Sequence, residues 1–167
     1  MLETDRLKIS KLSYDDCDFI FTLVNEPAFK RYIGDRGVRT LDDARDYLRE
    51  GPIESYATNG YGLFLVSRKD DGTPLGICGL VKRDQFELPD LGFAFLEQHW
   101  VNGYAGESSR AIIAYARTAL DLTRIIAIAS KDNESSLRLL QKLGFRFEEM
   151  VRMPGEKQDI CRYALDL

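Results

Sequence analysis

Histidine is almost missing from this chain: one residue, His99, in 167. A zinc site built on two or three imidazoles is therefore excluded, and an imidazole-based triad must use His99 or do without. Cysteine is scarce and odd in number. Cys17, Cys78 and Cys161 share no metal-like spacing, which suits a reducing compartment. No apolar run approaches the roughly 18 residues of a membrane span. The opening Met1-Leu2-Glu3-Thr4-Asp5-Arg6 lacks a basic segment followed by an apolar one, so no secretory signal is expected and the cytoplasm is the default. Basic charge is not in excess either. A net charge of −4 argues against a nucleic-acid partner and is compatible with a cationic substrate such as an amine. No repeat, linker or low-complexity tract interrupts the sequence, and no G-x-G-x-x-G follows an early strand, which disfavours a nicotinamide enzyme. What remains is a globular composition, expected to form one domain over residues 1–167.

Hydrophobic periodicity supplies the elements. Leu7 and Ile9 alternate with polar neighbours, so residues 5–11 read as a half-buried strand. Ser13-Tyr14-Asp15-Asp16 caps a helix whose apolar stripe of Phe19, Ile20, Leu23 and Val24 should stop at Pro27. Thr40-Leu41-Asp42-Asp43 starts a second helix, with Leu41, Ala44 and Leu48 expected on the core. After a loop from Gly51 to Gly62, residues 61–68 and 75–83 form a hairpin about Asp70-Asp71-Gly72-Thr73-Pro74. Strands follow at 91–96, 125–129, 145–152 and 160–165, with helices at 107–120 and 135–143. The pattern predicts an α/β domain on a mixed sheet, two helices before the hairpin and two strand–helix units after it.

Two segments carry chemistry. Leu91–Leu96 leads through Glu97–Trp100 into Val101-Asn102-Gly103-Tyr104-Ala105-Gly106-Glu107, a strand, a short glycine-containing turn and a helix. Small residues at 103, 105 and 106 let a ligand approach the backbone, and free amides at the helix start suit a pyrophosphate. Glycines at such a turn also serve purely structural ends. About thirty residues on comes Ser130-Lys131-Asp132-Asn133-Glu134-Ser135-Ser136, then a helix ending at Gly144-Phe145.

Together these segments resemble the GNAT acetyltransferase superfamily, and within it the RimJ/RimL-like N-acetyltransferases. The opening Leu2-Glu3-Thr4-Asp5-Arg6-Leu7, Gly76-Ile77-Cys78-Gly79-Leu80 and Lys142-Leu143-Gly144-Phe145 are similar to that group as well, so the likeness covers nearly the whole chain. It implies a mostly antiparallel sheet that splays between the strands at 91–96 and 125–129, with helices on both faces and acetyl-CoA in the gap. Phe93, Ala94 and Phe95 would bond the pantetheine arm through their backbone, Val101, Asn102, Gly103, Tyr104, Ala105 and Gly106 would hold the pyrophosphate, and Asn133 would contact pantetheine. No metal is implied. Two positions depart from the pattern. Val101 stands where relatives carry glycine and is strained if the site needs a positive φ. Leu140 replaces a tyrosine that protonates the leaving thiolate, and the resemblance passes that role to Ser136.

The base that deprotonates the amine falls to Asp90, with Glu87 in reserve; His99 lies on the phosphate side. Tyr61, Phe86, Phe29 and Tyr32 are candidates for the acceptor pocket or for the core. The acceptor implied is a primary amine, a protein N-terminal α-amine first, a polyamine or aminoglycoside second. A non-catalytic acyl-CoA-binding module is the competing class, and the chain acts as a monomer or homodimer.

Overall fold

The computed structural model describes residues 1–167. Its strands are β1 (Leu2–Glu3), β2 (Leu7–Lys11), β3 (Leu63–Arg68), β4 (Pro74–Val81), β5 (Asp90–Phe95), β6 (Arg124–Ala129), β7 (Arg146–Arg152) and β8 (Asp159–Asp166). They form one sheet in the order β1-β2-β3-β4-β5-β6-β8-β7. Every neighbouring pair is antiparallel except β5 and β6. The helices are α1 (Cys17–Val24), α2 (Pro27–Tyr32), α3 (Leu41–Leu48), α4 (Glu54–Asn59), α5 (Tyr104–Thr118) and α6 (Glu134–Lys142).

The alternation read in β2 holds: Leu7 and Ile9 are buried and Lys8 is exposed. The core has two halves, one on each face of the sheet. Ile112 and Ala116 of α5 and Leu140 of α6 pack with Leu7, Ile125 and Ala127 on one face. Ile20, Leu23 and Val24 of α1, Phe29 of α2, and Ala44 and Leu48 of α3 pack with Ile77 on the other. Helices thus cover both faces, as expected for the splayed sheet.

Four details differ from the sequence reading. Pro27 does not end α1, which stops at Val24; it opens α2 at the first helical position, where its missing N–H costs nothing. The expected loop from Gly51 to Gly62 is mostly helical. Pro52 sits inside a π-turn (Arg49–Ile53) that runs on into α4, so the four helices before β3 outnumber the two expected. Leu41 is 50% exposed, because the Thr40–Asp43 capping box sets it on the outer side of the first turn. Helix α5 begins at Tyr104, three residues before the expected start, which brings Tyr104, Ala105 and Gly106 into its first turn.

Candidate acyl-transfer site

The cleft comes from the one parallel pair. β5 and β6 touch only at Asp90↔Ile126, where the Ile126 N–H donates to Pro89 O at 3.1 Å. Beyond that point no residue of β5 is paired with β6, so the two strands part toward their C-terminal ends. On its other side β5 is paired with β4 along its whole length, from Val81↔Asp90 to Gly76↔Phe95. Phe93, Ala94 and Phe95 therefore lie where β5 borders the gap. The Phe95 carbonyl already accepts Trp100 Nε1 at 2.8 Å, a contact the sequence gave no sign of.

Past β5 the chain makes a 3₁₀ turn (Glu97–His99) and enters the loop. Val101 is fully exposed with φ +60°, and Gly103 has φ +80°. The conditional expectation for Val101 is met: the position is left-handed and holds a β-branched residue. Gly103 then serves as N-cap of α5 with no side-chain cap. None of the six backbone N–H groups from Val101 to Gly106 has a hydrogen-bond partner in the protein. The Asn102 side chain instead shapes the loop, donating to the His99 and Trp100 carbonyls at 3.0 and 3.1 Å. Six free donors at the positive end of a 15-residue helix are an arrangement suited to an anionic group such as a phosphate. At Gly106 a Cβ would stand 3.4 Å from Arg110 Nη1 and Leu139 Cδ1, so the packing is tight where α5 meets α6.

The structure also gives the opening Leu2-Glu3-Thr4-Asp5-Arg6-Leu7 a purpose. Glu107, in the first turn of α5, accepts from Thr4 Oγ1 (2.5 Å), the Arg6 N–H (3.0 Å) and Arg6 Nε (2.7 Å). Arg6 lies over the Tyr104 ring, 4.7 Å from its centre. Burial pushes the Glu107 carboxyl up, but these donors outweigh it and hold it below its usual range. The start of α5 is thereby pinned to the start of β2. Sequence reasoning missed this tie, although an acid in a helix's first turn is its local trace.

On the other side of the cleft, Asn133 caps α6, its Oδ1 accepting the Ser136 N–H at 3.4 Å. Ser136 is half-buried and its hydroxyl makes no hydrogen bond within the protein. Leu140 is 1% exposed in the core beneath α6. Asn133, Ser136, the 101–106 loop and the end of β5 thus gather at the open mouth of the cleft.

Asp90 lies apart, at the closed end where β5 and β6 still touch. From Ile126, its partner, to Ala129 the strand covers about 10 Å. Asp90 is 1% exposed, and its Oδ2 accepts from Arg83 Nε at 2.7 Å. Burial raises its pKa, with the Arg83 charge and hydrogen bond opposing. Glu87 is exposed in the connection before β5. Phe29 and Phe86 are core residues, the latter under the Arg162 guanidinium, while Tyr32 and Tyr61 are half-buried. No group of three His, Cys, Asp or Glu stands close enough to hold a metal ion. No helix is long and apolar enough to cross a membrane.

Known proteins share this fold. Residues 6–146 match the family described as the acetyltransferase (GNAT) domain. The uncharacterized N-acetyltransferase YoaA of Bacillus subtilis is 29% identical over 153 residues, 91% of this chain and 86% of that protein. A structure of RimL, a ribosomal L7/L12 alpha-N-protein acetyltransferase with coenzyme A, superposes with a TM-score of 0.83 at 16% identity, over 98% of this chain and 96% of the other. A spermidine N-acetyltransferase SpeG chimera from Vibrio cholerae and hSSAT gives 0.78 at 19%, over 96% and 95%. At such identities the superpositions establish the fold, and the family match extends it to the activity. The chain belongs to the GNAT acetyltransferase family, whose members are acyltransferases that use acetyl-CoA.

Proposed function

We propose that the chain, working as one cytoplasmic catalytic domain over residues 1–167, passes the acetyl group of acetyl-CoA directly to a protein N-terminal α-amine. The observation that carries the cofactor's place is the run of six unpartnered amides at the start of α5, beside strands that have parted. The pyrophosphate lies on Val101 to Gly106, and the pantetheine arm runs into the gap between Phe93–Phe95 and Asn133. Asp90 takes one proton of the ammonium through a chain of waters, the freed amine nitrogen attacks the thioester carbonyl carbon, and the C–S bond breaks. The thiolate takes a proton from the free Ser136 hydroxyl, which regains one from the nitrogen that has attacked. The raised pKa of Asp90 supports its role, and so does its second oxygen, which takes no hydrogen bond from the protein.

The name of the RimL neighbour supports a protein N-terminus as acceptor, and so do exposed residues such as Val101, Lys131 and Asp132 around the mouth. A second reading, a small polyamine, is favoured by the spermidine acetyltransferase neighbour and by a cavity of about 620 Å³ where Asp43, Asp46, Glu50 and Glu54 outnumber Arg36, Lys82 and Arg83. Mass spectrometry separates the two. With acetyl-CoA, a peptide bearing a free N-terminal serine should gain one acetyl group and its N-blocked twin none. Transfer to spermidine with no transfer to the peptide would replace the first reading by the second. Acetyl-CoA should bind with a micromolar Kd, about 8 kcal/mol, and raise Tm.

A further inference from the structure

Helix α2 lies across the mouth of the cleft because it is tied at both ends. Glu26, at its N-terminus, accepts the backbone N–H of Glu97 at 2.9 Å, just past the end of β5. Arg31, in its last turn, places Nη2 3.5 Å from Asp132 Oδ2, three residues past the end of β6. Six helical residues cover about 9 Å, roughly twice the spacing of adjacent paired strands. That is the span needed to bridge two strands with room for one extended chain between them.

The two ties are unequal. The first is a short bond from a fixed backbone donor. The second is long, between side chains 64% and 59% exposed, the kind of ion pair water and salt weaken. It is also the sole polar contact joining residues 13–60 to residues 121–167. Phe29, buried beneath the helix, keeps α2 on the core. After α2, Gly34 and Gly37 have φ +123° and +71° with nothing within 4 Å of a Cβ position, so the following chain can follow a swing. The Asp132 end is therefore the end that opens. When it does, an exposed carboxylate is left beside Asn133, two residues before α6 begins at Glu134. A guanidinium occupies that carboxylate in the closed state; an ammonium is its natural replacement.

We propose that α2 is a strap over the acceptor's entrance, hinged at Glu26 and latched by Arg31 to Asp132, and that the released Asp132 receives the positive charge of the incoming acceptor. The second half rests on the cleft being the acetyl-CoA site. Arg31→Ala and Asp132→Asn delete the same ion pair, yet the proposal gives them opposite effects on acceptor binding.

Hydrogen exchange, which needs no substrate, tests the strap. Amides of residues 27–37 should exchange several-fold faster in both variants, and α5 should be unchanged. Steady-state kinetics with the serine peptide and with spermidine test the receptor and tell the two amine sources apart. For whichever is acetylated, KM should fall about threefold in Arg31→Ala and rise about threefold in Asp132→Asn, the scale of one exposed ion pair. The Kd for acetyl-CoA should stay within about twofold, since neither Arg31 nor Asp132 is among the residues placed against the cofactor. Combining Arg31→Asp with Asp132→Arg should restore slow exchange and keep KM high. Unchanged exchange in both single variants overturns the strap. A KM shift of the same sign in both overturns the receptor role of Asp132, as does no shift. Failure of the wild type to bind acetyl-CoA overturns the cleft reading and the receptor role with it, and leaves the exchange result standing on its own.

Discussion

Val101→Gly should make the protein more stable without weakening its hold on acetyl-CoA. Val101 has φ +60°, where a β-branched residue meets its own backbone, at a cost of about 1–2 kcal/mol. Its side chain is fully exposed, so removing it sacrifices no burial. Glycine returns part of the gain, because it loses about 0.5–1 kcal/mol more backbone entropy on folding. The net is a stabilisation of about 0.5–1 kcal/mol, or about 1–3 °C in Tm for a chain of this size. Thermal and urea unfolding followed by circular dichroism would read it. The six amides keep their places, so the Kd for acetyl-CoA should stay within about twofold. Gly103→Val is the opposing case: it adds a β-branched side chain at φ +80° with its Cβ 3.4 Å from Arg6 Nη2. It should weaken acetyl-CoA binding tenfold or more, about 1.4 kcal/mol. A Val101→Gly protein that melts lower would refute the strain argument, and normal binding by Gly103→Val would move the phosphates elsewhere.

Ser136→Ala should lower kcat by roughly 10- to 10⁴-fold with little change in the Kd for acetyl-CoA, because a proton given to the leaving thiolate counts only in the transition state. An alanine variant with unchanged kcat, where chemistry limits the rate, would return Ser136 to a plain place in α6. Asn133→Ala should mainly raise KM for acetyl-CoA, as loss of uniform binding does, read in the same initial-rate assay. Asp90→Asn should depress kcat most at neutral pH and recover in part as the amine deprotonates at higher pH. Because burial raises the Asp90 pKa, the acid limb of the wild-type kcat profile should lie above the ordinary aspartate value of about 3.9, and a limb below it would remove Asp90 as base. Glu107→Gln should cost about 2 kcal/mol at pH 7, the worth of hydrogen bonds to a charged group. Glu107 has a lowered folded pKa, so its contribution is present above the unfolded value of about 4.3 and is lost as pH falls through the folded one. Urea midpoints of wild type and variant should therefore converge in acid; a gap that persists there would mean that packing, not charge, is lost.

Features set by neighbours in sequence were legible. The order of strands and helices after β3 and the turn at Gly103 each depend on a few adjacent residues and the period of the apolar ones. So were the gap between β5 and β6 and the conditional strain at Val101, although through likeness to a family and not through periodicity. Legibility failed first where a local signal had two meanings. Proline ends one helix and begins the next, and Pro27 does the second. Gly51 and Gly62 suggested a loop between them, but the chain absorbed the missing N–H of Pro52 in a π-turn and stayed helical. Tyr61 and Phe86 carried no signal to tell pocket from core, since packing asks for the same side chains.

Legibility failed again where contacts join distant parts of the chain, and those contacts share a place. Thr4 and Arg6 with Glu107, Glu26 with Glu97, and Arg31 with Asp132 are 71 to 103 residues apart, and all lie at the end of the sheet where β5 and β6 part. Trp100, closing back on Phe95, lies there too. The reason is physical. Two strands that stop pairing give up ladder hydrogen bonds, and nothing in the sheet itself then fixes how wide they stand. Side chains from the segment before β2, from the two ends of α2 and from α5 take over that work, tying the chain around the cleft's mouth to elements outside it. Asp90 shows the complement. At the closed end the ladder still holds, and the charged pair of buried Asp90 with half-buried Arg83 is local, seven residues apart. A cleft wide enough for an extended cofactor arm therefore needs residues that no short motif contains, and the width is set by the same side chains that decide how an acceptor enters.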